Sequence, residues 1–277
     1  MACVVTPNGY TAIGKYNTMS ITKGAVGLAF LSTPETYEQL DSFLLSGVKI
    51  SLREALCHQT GLENDETFGK MYDEYMALSK IQNMYSYSKT FFLNEYHEKF
   101  QGKHYEYNNI VWRILVQKYE KITGQRISKK IQSLPGLQDA EFDHDLDNYM
   151  HGLNGMKLTC SMAKDYGNWA RSVLLKNFST LLDYPPIPKG HWSGDYAGNG
   201  VNVHPFFGWF IVATQKAPGV PIMAFSVGYL SQFICVSLLK DDSVTPGIQL
   251  RHPYYEDFGG SEVHTFVKDW LHRLLPI

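Results

Sequence analysis

Ser20-Ile21-Thr22-Lys23 places a hydroxyl and an amine one helical turn apart, and a phenol follows far downstream in Tyr107-Asn108-Asn109. On a helix, side chains three residues apart share a face. A lysine held away from water has a lowered pKa and can take the serine proton, which makes the serine oxygen nucleophilic. A tyrosine phenol nearby can relay that proton to a leaving group. The chemistry on offer is acyl transfer through a covalent serine intermediate. Serine and lysine fall at this spacing often by chance, so the weight rests on the elements that would position them.

Those elements are legible in outline. Asn8-Gly9 is a turn signal between short apolar runs, so residues 3–18 read as a hairpin or two short strands. Small and apolar residues dominate MSITKGAVGLAFL, which predicts a buried helix over 19–31 with Ser20 at its start; Gly24 and Gly27 let a neighbouring backbone come close. Thr33-Pro34-Glu35 opens a helical stretch to about Leu45. Ser51-Leu52-Arg53-Glu54 fits a capped helix start, with Gly61 as its stop. Residues 63–103 read as helical in parts, and 110–122 and 161–175 as helices. Three strand-like runs follow, at 208–214, 222–227 and 232–239, then a fourth at 248–250 and an amphipathic helix over 262–275. The fold class is therefore α/β in the α+β sense: an antiparallel meander covered by the Ser20 helix and the terminal helix. We take residues 1–277 as a single catalytic domain. Its α/β half is 1–32 and 200–277, its mainly helical half is 33–199, and the cleft lies between them.

Composition narrows the function. A chain with 44% hydrophobic and 19% charged residues is that of a folded globular protein. A net charge of −2 without a basic stripe argues against nucleic acid as a partner. No apolar run reaches the roughly 20 residues that span a bilayer, so no membrane partner is expected. The opening MACVVTPNGY lacks the basic and apolar regions of a signal peptide, so the expected location is cytoplasmic unless a leader has been removed. Cys3, Cys57, Cys160 and Cys235 are widely spaced and read as small buried hydrophobes rather than a zinc site or a dense disulfide framework. Histidines in no metal-binding pattern call for no cofactor. The acidic run Asp139–Asp147 lacks the glycine and spacing of a calcium loop and reads as solvated. Aromatic residues at 14% fit either a ring-rich core or a ring-lined cleft.

Taken in order, several segments resemble the serine β-lactamase and penicillin-binding-protein superfamily, in its class C β-lactamase and family VIII esterase branch. Tyr16 to Lys23 resembles the nucleophile segment, and SLREALCHQTGL (51–62) the stretch that follows it. Tyr105-Glu106-Tyr107-Asn108-Asn109 is similar to the Tyr-x-Asn motif, Leu134-Pro135-Gly136-Leu137 to a family loop, and 152–170 to a family helix. Gly208-Trp209 and Gly228-Tyr229-Leu230-Ser231-Gln232 resemble the strands around the third motif. The likeness spans about residues 12–275. It implies a β-lactamase/transpeptidase-like fold. It also implies roles: Ser20 as acylated nucleophile, Lys23 as its proton acceptor, Tyr107 as general acid and base, and Asn109 as orienter of Lys23 or substrate. The backbone N–H groups of Ser20 and Tyr229 would form the oxyanion hole, with Ser226, Gly228 and Tyr229 binding substrate. His58 would sit structurally below the site, while Trp209, Tyr229 and Tyr254 fit either a pocket wall or the core.

Two departures redirect the expectation. Where the family carries Lys-Thr-Gly or His-x-Gly, this chain reads Ser226-Val227-Gly228, without the cation that helps hold a substrate carboxylate. Only 19 residues precede Ser20, fewer than in family members, and a homodimer is one way to cover the sheet edge this leaves. The expected function is a serine hydrolase or acyltransferase acting on a small-molecule ester, thioester or amide. The alternatives are a β-lactamase or D-Ala-D-Ala peptidase-like enzyme, and a non-catalytic binding protein built on the same cleft.

Overall fold

The computed structural model describes residues 2–6, 9–11, 14–18, 20–62, 84–142, 155–191, 200–215, 219–228, 232–239 and 246–251. The expected terminal helix, Tyr229, Tyr254 and most of the acidic run lie outside these residues.

Ten described strands form two antiparallel sheets. The larger has seven strands in the order β2-β1-β10-β9-β8-β7-β6. They are β1 (Ala2–Thr6), β2 (Gly9–Thr11), β6 (Val201–Phe206), β7 (Trp209–Thr214), β8 (Pro221–Gly228), β9 (Gln232–Ser237) and β10 (Gly247–Arg251). The β1–β2 hairpin forms where Asn8-Gly9 predicts it, with Thr6 opposite Gly9. Strands β7, β8 and β9 are the expected meander, while β6 was not foreseen. A small second sheet joins β3 (Tyr16–Asn17), β5 (Met156–Leu158) and β4 (Glu141–Phe142).

The described helices are α1 (Ile21–Leu31), α2 (Pro34–Tyr37), α3 (Leu52–Leu56), α4 (Met84–Lys99), α5 (Asn109–Thr123), α6 (Ile127–Gln132) and α7 (Cys160–Lys176). Among them none is long and apolar enough to cross a membrane. Helix α2 stops after one turn, well short of Leu45. Helix α3 has the predicted capping box, with Ser51 accepting from the Glu54 N–H and Glu54 accepting from the Ser51 N–H. It ends at Cys57 rather than at Gly61.

Helix α1 is buried on nearly every side and packs against β7, β8 and β9. Its companion on the sheet is α7, which packs against β9, β10 and β1. Glycines permit the close seating of α1. A Cβ on Gly27 would stand 1.9 Å from the Phe207 carbonyl oxygen, and one on Gly208 would stand 2.6 Å from the Lys23 carbonyl. Phe207 and Gly208 make the two-residue turn between β6 and β7, both with positive φ, 49° and 77°. That is the twist a right-handed hairpin favours, but it is strained for a phenylalanine. The Gly208 N–H donates to the Leu56 carbonyl, which ties the turn to α3 as well.

Cysteine usage corrects one expectation. Cys57 and Cys235 are buried free thiols as foreseen, but Cys160 at the start of α7 is disulfide-bonded. Its isolation in the sequence gave no sign of this.

Candidate active site

Thr18 and Thr22 anchor the start of α1 to the small sheet. The Thr18 hydroxyl donates to the Met156 carbonyl at 2.9 Å, and the Met156 N–H donates to Thr22 Oγ1 at 3.1 Å. The residue between them, Ser20, occupies the N-cap position. A serine there ordinarily turns its oxygen back onto the helix N–H groups. Ser20 makes no such bond, and its oxygen faces Lys23 and Tyr107 instead.

Lys23 Nζ lies 2.9 Å from Ser20 Oγ. With 1% of its surface exposed, Lys23 is among the largest fully buried side chains, and burial pushes its pKa well below the ordinary 10.5. A neutral amine can accept a proton from the serine, whereas a charged ammonium can only donate to Oγ.

The Tyr107 hydroxyl donates to Ser20 Oγ at 3.0 Å. Lys23 Nζ lies 5.0 Å from the centre of the Tyr107 ring. The segment carrying this tyrosine is fastened on both sides. Asn108 caps α5, its Oδ1 accepting from Ile110 N at 2.9 Å and Val111 N at 3.3 Å, while its Nδ2 donates to the Leu62 carbonyl. Upstream, Lys103 pairs with Glu54 of α3, and the Gly61 N–H donates to the His104 carbonyl. The segment therefore runs beside residues 58–61 and delivers its phenol to the start of α1. Asn109 is the first residue of α5 and enters the helix directly after the cap.

Ser226 is fully buried on β8 beneath α1. Its hydroxyl donates to the Gly208 carbonyl at 3.2 Å and would stand 3.0 Å from a Cβ on Gly24. It offers no charge and no exposed atom. Gly228 ends β8 opposite Gln232. Trp209 belongs to the core, with its indole against Gly24 and beside Tyr166.

His58 lies directly against Tyr107. It follows α3 with a positive φ of 55°, and its ring stacks on Tyr107 with centres 4.6 Å apart and planes 18° apart. Tyr105 and His191 continue this group of rings, 5.0 Å apart edge to face. The sequence signal was His58-Gln59-Thr60-Gly61 itself, which gave the neighbourhood but not the contact. Among the described residues no group of three histidine, cysteine, aspartate or glutamate side chains could hold a metal ion.

No family model matches the sequence, and no curated protein matches it. Solved structures do match. The octameric penicillin-binding protein homologue from Pyrococcus abyssi aligns with a TM-score of 0.63 at 12% identity, over 99% of this chain and 74% of its own. A β-lactamase from Mycobacterium bovis aligns with a TM-score of 0.52 at 15% identity, over 98% and 93%. A penicillin-binding protein from Bacillus halodurans aligns with a TM-score of 0.52 at 12% identity, over 97% and 95%. Together with the architecture described above, these matches give the chain the fold of the serine β-lactamases and penicillin-binding proteins.

Proposed function

We propose that this protein is a serine hydrolase or acyltransferase that acts on a small-molecule ester, thioester or amide through an acyl-enzyme on Ser20. The observation that carries the reading is the convergence of Lys23 Nζ and the Tyr107 hydroxyl on one oxygen, Ser20 Oγ, at 2.9 and 3.0 Å. A chance Ser-x-x-Lys would not bury its lysine or recruit a phenol from so distant a segment.

The steps follow from that geometry. Neutral Lys23 takes the Ser20 proton as Oγ bonds to the substrate carbonyl carbon. The oxyanion so formed is held by backbone N–H donors, those of Ser20 and Tyr229 by resemblance; each such donor contributes about 3–4 kcal/mol in comparable sites. The tetrahedral species collapses as the bond to the alcohol, thiol or amine breaks, and Tyr107 gives that leaving atom its proton. Lys23 returns a proton to the phenolate. Water or another nucleophile then releases the acyl group from Ser20 by the reverse proton path. Asn109 would orient Lys23 or the substrate. With the buried, uncharged Ser226 at the position where the resemblance would put a cation, a substrate carboxylate finds no partner there, which ranks β-lactam or D-Ala-D-Ala turnover second.

The test is a p-nitrophenyl ester assay combined with mass spectrometry of the protein after a phosphonate probe. The reading expects hydrolysis and a single adduct on Ser20. A folded protein that takes no adduct, or a Ser20→Ala variant with undiminished esterase activity, overturns it.

A further inference from the structure

We infer that His58 is the positioning residue for Tyr107, an assignment that rests on the acyl-enzyme reading above. One residue meets the Tyr107 segment at three places. The His58 carbonyl accepts from the N–H of residue 106 at 2.8 Å. Its Nδ1 lies 3.3 Å from the N–H of Asn108, on the other side of the tyrosine. Its ring lies nearly parallel to the Tyr107 ring between those two points. The backbone of 106–108 and the phenol are thus located by the same side chain and the same peptide.

The ring's own setting fits this task and no proton-transfer task. Trp112 Nε1–H points at Nε2 from 3.2 Å, while the Asn108 N–H points at Nδ1. Both groups only donate. A neutral imidazole has one bare nitrogen and accepts from one of them, whereas an imidazolium accepts from neither. Burial with Lys23 and His191 nearby lowers the pKa of His58 further. The ring is therefore a flat, neutral platform that cannot add a positive charge beside the neutral amine of Lys23. His58 also adopts a left-handed backbone conformation, which few non-glycine residues take without local compensation. Its fixed φ aims the ring at Tyr107 and its carbonyl at residue 106 together.

A positioning role predicts that His58 acts only through the phenol. The experiment measures phosphonate labelling of Ser20 by intact mass, separating the maximal rate from the half-saturating probe concentration. The variants are H58N, which tolerates the left-handed backbone and keeps an acceptor, and H58F, which keeps a ring. Each is made in the parent and in a Y107F background, with thermal melts to show that the proteins fold. In the parent we expect a fall of about 10–100-fold in maximal rate, the scale of a small misplacement of a reacting group, with half-saturation within about 3-fold. In Y107F the same substitutions should change the residual rate less than about 2-fold, because coupled residues do not add. A folded H58N or H58F that labels at the parent rate overturns the assignment, as does an equal loss in both backgrounds. A parent protein that takes no label overturns the acyl-enzyme reading instead, and so separates the two failures.

Discussion

The Tyr107 hydroxyl sits 3.0 Å from Ser20 Oγ although 87 residues separate them. The two arrive on independent scaffolds, one on a buried helix stitched to the sheets, the other on an extended segment fastened by an asparagine cap. The site exists only when both are in register, so its parts are open to separate perturbation.

Lys23 should show itself in the pH dependence. In the proposed reaction it acts as a base only when neutral, and burial lowers its pKa from 10.5. The profile of kcat/KM for an ester should therefore rise with pH and level off well below 10.5. A rise centred near the ordinary lysine value would contradict a desolvated base.

The same burial predicts a trade between stability and activity. With the folded pKa below the unfolded one, the unfolded chain binds more protons between the two values, so this group's contribution to stability increases with pH across that window. Below the unfolded value the folded state bears the cost of either deprotonating the buried amine or, below the folded value, of burying its charge. Lys23→Met should remove that cost, raising stability by about 1–2 kcal/mol at neutral pH while abolishing labelling of Ser20. The gain should shrink toward zero as pH passes the unfolded value, which urea titrations at several pH values would measure. A loss of stability at neutral pH would refute the argument.

Asn108→Ala should lower stability and activity together. It removes the α5 cap and the link to Leu62, with an expected cost of about 1–2 kcal/mol. Because the cap adjoins Tyr107, the rate of acylation should fall as well. Unchanged melting and unchanged labelling would show that the segment is held by other means.

Ser226 makes a prediction about substrates. Since it is buried and uncharged, nitrocefin turnover should fall at least about 100-fold below that of a good p-nitrophenyl ester, the weight of a lost charged contact of roughly 3 kcal/mol. Equal rates would bring β-lactams back to first place.

Much of this was legible because local signals and tertiary structure agree. Asn8-Gly9 makes its hairpin, Ser51 and Glu54 make their capping box, and the small residues around Gly24 and Gly27 make a buried helix. The failures have identifiable causes. Strand β6 contains Pro205, which reads against a strand because proline cannot donate to the ladder. It is tolerated because, among the described residues, β6 is the last strand in the sheet order and pairs only with β7. The small sheet escaped because its strands are two or three residues long and Tyr16 pairs with Leu158, far beyond any local pattern. The stacking of His58 under Tyr107 has no sequence signature at all, since it depends on a backbone torsion at the end of α3.

The seat of α1 on the Phe207-Gly208 turn has a mechanical consequence. With the Lys23 carbonyl pressed against Gly208 and Gly27 against the Phe207 carbonyl, the helix meets backbone at these two points, which cannot repack as a side chain can. Serine and lysine form the fixed jaw of the site. On the acyl-enzyme reading, the room a bulky acyl group needs comes from the jaw that carries the phenol.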